Sequence, residues 1–225
     1  MVFLRGFGGG EDGRRLFADG VWLRAPQPGD FPEWSGLREQ SRNFLQPWEP
    51  LWPRDELTRG SFRRRLRRHA REMREDRSFP FFIFRSGDDR LLGGATLSNI
   101  RRGVAQTCSL GYWMGEPYAG QGYMSRAVTA LLAFAYSDLN LHRVEAACLP
   151  HNGPSIRLLQ KAGFEREGYA RGYLRIAGEW QDHLLFAKLA GDPEASGSRL
   201  EEPAELNASI CSAATMTWRG QKETL

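Results

Sequence analysis

The chain has 225 residues, 41% of them hydrophobic and 12% aromatic, with 31 basic and 27 acidic side chains and a net charge of +4. That length and apolar content exclude wholesale disorder and suit one ordinary domain with room for a tail. Three cysteines (Cys108, Cys148, Cys211) and four histidines lack the spacing of a disulfide framework or a metal centre. No metal is therefore expected, and a reducing, cytoplasmic setting is. No apolar run approaches the ~18 residues of a membrane span.

Residues 1–13 are glycine-rich and read as a loose leader. Residues 21–24 form a first strand, stopped by Pro26 and Pro28. Asp30 and Glu33 have capping-box spacing and open a short helix to about residue 40. In RNFLQPWEPLWP, Pro47, Pro50 and Pro53 prevent regular structure, leaving Phe44, Trp48 and Trp52 to pack elsewhere or line a cleft. Residues 58–76 read as a helix with Phe62, Leu66, Ala70 and Met73 inward. Its outer face carries Arg59, Arg63, Arg64, Arg65, Arg67, Arg68, Arg71 and Arg74. That face is either plain solvated surface or a patch for RNA or a similar polyanion.

Strands at 79–84, 91–100 and 104–114, separated by short turns, form an antiparallel meander. A strand at 142–149 follows a helical crossover and is therefore parallel to its predecessor. A short helix starts at Pro154 and ends at Gly163, with Lys161 at its negative end. Two last strands, 168–176 and 180–189, flank Ala177-Gly178. From Gly191 the polar, acidic remainder reads as a tail, which leaves the domain at 14–190 more basic than the whole chain.

The informative stretch is LGYWMGEPYAGQGYMSRAVTALLAFAYSD, residues 110–138. Ala127, Val128, Leu131, Leu132, Ala135 and Tyr136 recur in steps of three and four, giving a helix with one buried face. The turn before it, Gly120-Gln121-Gly122, frees backbone N–H groups at a helix N-terminus, a seat for phosphate. It lacks the Gly-Lys-Ser/Thr of a triphosphatase and the third glycine of a dinucleotide fold.

In order along the chain, RNFLQPWEP, SNIRRG, LGYWMG, AGQGYMSRA, PHNGPS, AGFEREGYA and GEWQDH resemble the GNAT superfamily of acetyl-CoA-dependent N-acetyltransferases. Within it they are most similar to the RimJ/RimL branch, which acetylates ribosomal-protein N-termini, and to its RimJ side in particular. The resemblance spans residues 14–190. It implies a mixed α/β fold with a mostly antiparallel sheet of about seven strands, one splayed parallel pair and flanking helices.

The resemblance also implies direct acetyl transfer from acetyl-CoA to a protein α-amine, by a monomer or homodimer, with no membrane partner. The rival readings are a small-molecule amine acetyltransferase and a non-catalytic acyl-CoA-binding protein at the ribosome. By resemblance, acetyl-CoA lies on Tyr112, Trp113 and Met114, on Gly120, Gln121, Gly122, Tyr123, Met124 and Ser125, and on Asn152, Ser155 and Lys161. Backbone N–H groups near Tyr112 to Met114 would hold the thioester oxygen. Ser155 is the candidate acid for the leaving thiolate, because Leu159 stands where many relatives have a tyrosine. Ala119 replaces the usual Arg or Gln. Glu49 is either the general base or one half of an ion pair, and Gly172 stands where some relatives carry an acid.

Overall fold

The computed structural model describes residues 14–193. The expected leader 1–13 lies outside the described residues, as does the expected tail beyond residue 193. Eight strands form one sheet in the order β1-β2-β3-β4-β5-β6-β8-β7. They are β1 Arg15–Ala18, β2 Val21–Arg24, β3 Phe79–Arg85, β4 Leu91–Arg101, β5 Thr107–Met114, β6 Arg143–Cys148, β7 Glu165–Ile176 and β8 Glu179–Leu189. Every neighbouring pair is antiparallel except β5 and β6.

The expected meander and crossover are present, with one strand more than expected. β1 is only four residues long, and Leu16 is its single buried side chain, so its alternation barely registers. β5 starts three residues later than expected because Val104 lies in the turn, fully exposed. β7 starts earlier, at Glu165, and its pairing with β8 is interrupted at two bulges.

Among the described residues, five α-helices flank the sheet: α1 Phe31–Gln40, α2 Arg42–Leu45, α3 Arg59–Arg74, α4 Tyr123–Ala133 and α5 Gly153–Lys161. The larger core lies between the sheet and α4 and α5, where Val128, Leu131, Phe134, Val144, Leu159 and Phe186 are buried. The opposite face of β3 and β4 meets α1 and α3 through Trp34, Leu37, Phe62, Phe82 and Phe84. Side chains alternate across β5: Cys108 and Leu110 join the α4 core, while Trp113 packs on the α3 side.

Three local expectations are corrected. The Asp30/Glu33 capping box does not form: the Asp30 carboxylate binds Arg24 and the Gln27 N–H, and Glu33 Oε1 accepts the N–H of Leu91 at 2.8 Å. The proline-rich loop is partly regular, because Pro47 occupies the first turn of a 3-10 segment, Gln46–Trp48, where no N–H is required. On α3, Ala70 is exposed and His69 takes the inward position, while Arg65 turns inward as well.

Candidate active site

The sheet opens at its parallel pair. β5 and β6 are joined only at Thr107↔Arg143, Cys108↔Val144 and Ser109↔Glu145. Past that point β5 runs on to Met114 paired to β4, and β6 runs on to Cys148 paired to β8. The facing edges, residues 110–114 and 146–148, diverge with their inward backbone groups unclaimed by each other. A V-shaped gap edged by backbone donors and acceptors accepts an extended amide-bearing chain as a sheet accepts another strand.

At the mouth of that gap stands the N-terminus of α4. Gly120 and Gly122 have φ of +73° and +80°, left-handed values that a side chain resists. Gly122 is the N-cap residue, and no side chain caps the helix. The first N–H groups of α4 are thus left for an external acceptor, and the helix dipole favours an anion there. A Cβ at Gly120 would meet nothing within 4 Å, so the approach is open. Gln121 is tied back to the Pro117 carbonyl at 2.8 Å, and the Met124 side chain is buried in the core. Both therefore present only their backbone at this helix end. Tyr123 packs beside the core with the Arg126 guanidinium 5.5 Å from its ring.

Across the gap, α5 begins at Asn152, whose Oδ1 accepts the Ser155 N–H at 3.1 Å, an N-cap. Ser155 Oγ lies 2.7 Å from the Tyr112 hydroxyl. Cys148, at the end of β6, lies beside the same serine, and burial raises its thiol above the usual range. Burial also pushes the Tyr112 phenol up to about 12, with the Ser155 hydrogen bond opposing, so the phenol keeps its proton at neutral pH. The pairing of the Tyr112 hydroxyl with Ser155 was not visible in the sequence, because the two lie forty-three positions apart. Leu159 is fully buried, which accounts for an aliphatic side chain there. Lys161 is exposed at the far end of α5, about 13 Å from Asn152 along the helix axis.

On the α3 side of the sheet, a cavity of about 440 Å³ reaches Thr96, Gly111, Tyr112 and Trp113. Its walls include Trp34, Trp52 and Trp113. Gly94 lets Trp113 lie flat on β4, since a Cβ there would sit 2.6 Å from the indole nitrogen. Inside, Arg38 is buried between the rings of Trp52 and Trp113, at 4.3 and 5.0 Å. Arg38 donates to both oxygens of Glu49, at 3.1 and 2.6 Å, and Trp52 Nε1 donates to Glu49 Oε2 at 2.7 Å. Arg65 pairs with Glu56 in the same wall.

His69 completes the lining. Its Nδ1 is buried without a partner, and burial beside Arg68 and Arg65 lowers its pKa to about 4, so the ring is neutral. Glu49 forms the expected ion pair, with Arg38, and that pair lies inside the cavity. Arg38, Glu56 and His69 carried no motif in the sequence. Only the packing of α1 and α3 on β4 brings them together.

The segment holding Glu49 arches across the site. The Glu49 carbonyl accepts the Ala177 N–H in the β7–β8 turn at 2.9 Å, Leu51 packs on Gly178, and Trp48 lies 5.5 Å from the His151 ring. The cavity is thereby bridged from α2 to the last hairpin.

A sheet split at its one parallel pair, with an uncapped helix at the mouth of the split, has the geometry to take an extended amide-bearing chain that ends in an anionic group. Comparison with known proteins supplies the family. Residues 21–165 match the model of the acetyltransferase (GNAT) domain. The chain is 36% identical to the probable N-acetyltransferase YjcK of Bacillus subtilis, over 77% of this chain and 96% of that protein. It is 34% identical to the [ribosomal protein uS5]-alanine N-acetyltransferase of Escherichia coli, over 79% and 92% of the two chains. The solved structure of Mycobacterium smegmatis RimJ in complex with CoA-disulfide superposes with a TM-score of 0.72 at 32% identity, covering 76% of this chain and 82% of that one. The chain belongs to the GNAT acetyltransferase family, and it is an N-acetyltransferase.

Proposed function

We infer that this enzyme transfers acetyl from acetyl-CoA to the α-amine of a protein N-terminus, with a ribosomal protein as acceptor. The observation that carries this reading is the 34% identity, over 92% of its length, to an enzyme named for acetylating an alanine of ribosomal protein uS5. The bridged, aromatic-walled cavity beside Tyr112 and Trp113 supports it, because a bridged opening suits a free chain end.

Acetyl-CoA supplies an activated acyl carbon and a thiolate leaving group. The N–H groups of residues 121–125 would receive the pyrophosphate without any lysine. The free edges of β5 and β6 would take the pantetheine amides, and β5 N–H groups near Tyr112 to Met114 would stabilise negative charge on the carbonyl oxygen. The amine nitrogen bonds to the acyl carbon, the carbon–sulfur bond breaks, and the amine gives up one proton. The Tyr112–Ser155 pair donates a proton to the departing sulfur, and a thiol with a pKa near ~8.5 needs little help.

The demand on a base is also modest. An α-amine with a pKa of about 7.7–8.0 is roughly one-tenth neutral at pH 7, whereas a lysine near ~10.4 is neutral in less than a thousandth of molecules. Glu49 remains our candidate to receive the proton, directly or through a water. Its two oxygens retain lone pairs beyond those used by Arg38 and Trp52.

Thiol release from acetyl-CoA, measured over a panel of N-terminal peptides, polyamines and free amino acids, tests the reading. Turnover confined to peptides, with Ala- or Ser-initiated ones foremost, is the expected result. Faster turnover of a polyamine or a free amino acid would replace this acceptor class by a small molecule.

A further inference from the structure

Helix α3 has two faces with different work. Its inner face is spent on the domain: Phe62 is fully buried, and Arg65 and His69 line the acceptor cavity. Of its outward arginines, Arg64 is paired with Asp55, and Arg68 lies 3.8 Å from Glu72. Arg59, Arg63, Arg67, Arg71 and Arg74 are exposed, and none has an acidic partner within 4 Å among the described residues.

These five recur in steps of four, four, four and three, so they follow one inclined ridge that drifts about 40° around the helix at each step of four. The spacing is about 6 Å per step and about 22 Å end to end. Such a stripe works against the helix that carries it. Like charges four apart repel, and Arg59 sits in the first turn, where the helix dipole disfavours a cation, while only Arg71 and Arg74 in the last turn are favoured by it. Glu72 is the only acidic residue within α3, and there is no lysine.

Guanidinium groups bind phosphate oxygens in bidentate fashion, and a regular row of them suits the repeating phosphates of a nucleic-acid strand. A membrane surface is a poorer match, because the apolar face of α3 is already packed into the protein and cannot insert. A flexible acidic polypeptide offers no fixed spacing to a rigid row.

We propose that the Arg59–Arg63–Arg67–Arg71–Arg74 stripe is an RNA-binding surface that contacts the phosphate backbone without reading bases. The binding goes beyond acetyl transfer and does not depend on the identity of the acceptor amine. Its properties are those of a backbone binder: affinity falls steeply with salt and is nearly indifferent to sequence.

The test uses the full chain and a fluorescein-labelled 20-base-pair RNA duplex, with anisotropy titrations from 50 to 300 mM KCl. Five phosphate contacts predict a slope of log K against log salt of about −4. The triple variant R63E/R67E/R71E is expected to bind at least about 30-fold more weakly at 100 mM salt, with a slope shallower by about 3. R63K/R67K/R71K should retain most of the binding, which separates lost charge from a damaged helix. Turnover of a short acceptor peptide should stay within about twofold in both variants, so a failure here is distinguishable from a failure of the acetyltransferase reading. Absence of binding by the parent chain, equal binding by the Glu variant, or displacement of RNA by polyglutamate as effectively as by unlabelled RNA would overturn the proposal.

Discussion

At the scale of single residues, the decisive feature is the 2.7 Å contact between the Tyr112 and Ser155 hydroxyls. Ser155 is fixed by the Asn152 cap, and Tyr112 keeps its proton because burial pushes its pKa up to about 12. Tyr112→Phe should lower kcat by about tenfold, below the usual general-acid range of about 10²–10⁴ because the thiol is a good leaving group, while KM for the peptide is unchanged. Steady-state kinetics checks this; an unaltered kcat would leave the pair with packing alone. Asn152→Ala should cost about 1 kcal/mol of stability through the lost cap and should also impair kcat by freeing Ser155.

His69 gives a pH signature. Its folded pKa of about 4 lies below its unfolded value of 6.5, so the unfolded chain binds the proton first as pH falls. Stability from this residue is complete above pH 6.5 and is lost between 6.5 and 4, amounting to about 3 kcal/mol at most. His69→Leu should flatten that acid limb in urea melts at pH 7 and 4.5. An acid limb identical to the parent's would contradict the assignment.

Among elements, α4 shows how a glycine turn leaves a helix N-terminus uncapped. Gly122 has φ of +80°, yet a Cβ there would find only Arg126 at 3.8 Å, so space is not what requires glycine. The requirement is backbone conformation and a clear path to the N–H groups. Gly122→Ala should therefore cost about 1–2 kcal/mol in thermal melts, from the left-handed backbone alone. Gly122→Trp should in addition abolish coenzyme A binding by calorimetry. Unchanged binding by the tryptophan variant would remove the seat from the account.

This element was legible in the sequence because the glycine turn and the three-four apolar period both depend on local backbone geometry. The short helix after Pro150-His151-Asn152 was legible for the same reason. The cavity on the α3 side was not. Arg38 comes from α1, His69 from α3, and Trp52 from a loop, and their neighbourhood is set by packing on β4 across long stretches of chain. Even within α3, the inward choice between Ala70 and its neighbour His69 depended on what α3 meets.

For the whole molecule, the two faces of the sheet divide the labour. Tyr112 turns toward the α4 and α5 side with Ser155, and Trp113 toward the α3 side with Arg38, so adjacent residues of β5 reach opposite faces; under the proposed function these are the donor and acceptor sides. The break between β5 and β6 is where the two sides communicate. The arch from Glu49 to Ala177 and Gly178 crosses the α3 side beside the cavity.

The central claim is that the acceptor is an α-amine at a chain end. One peptide carrying both a free N-terminal alanine and an internal lysine tests it directly, with the acetylated position read by tandem mass spectrometry at pH 7. The account predicts acetyl on the N-terminal nitrogen in at least about a hundredfold excess, as the difference in neutral-amine fraction alone implies. Acetyl on the lysine side chain, at comparable or greater yield, would contradict it.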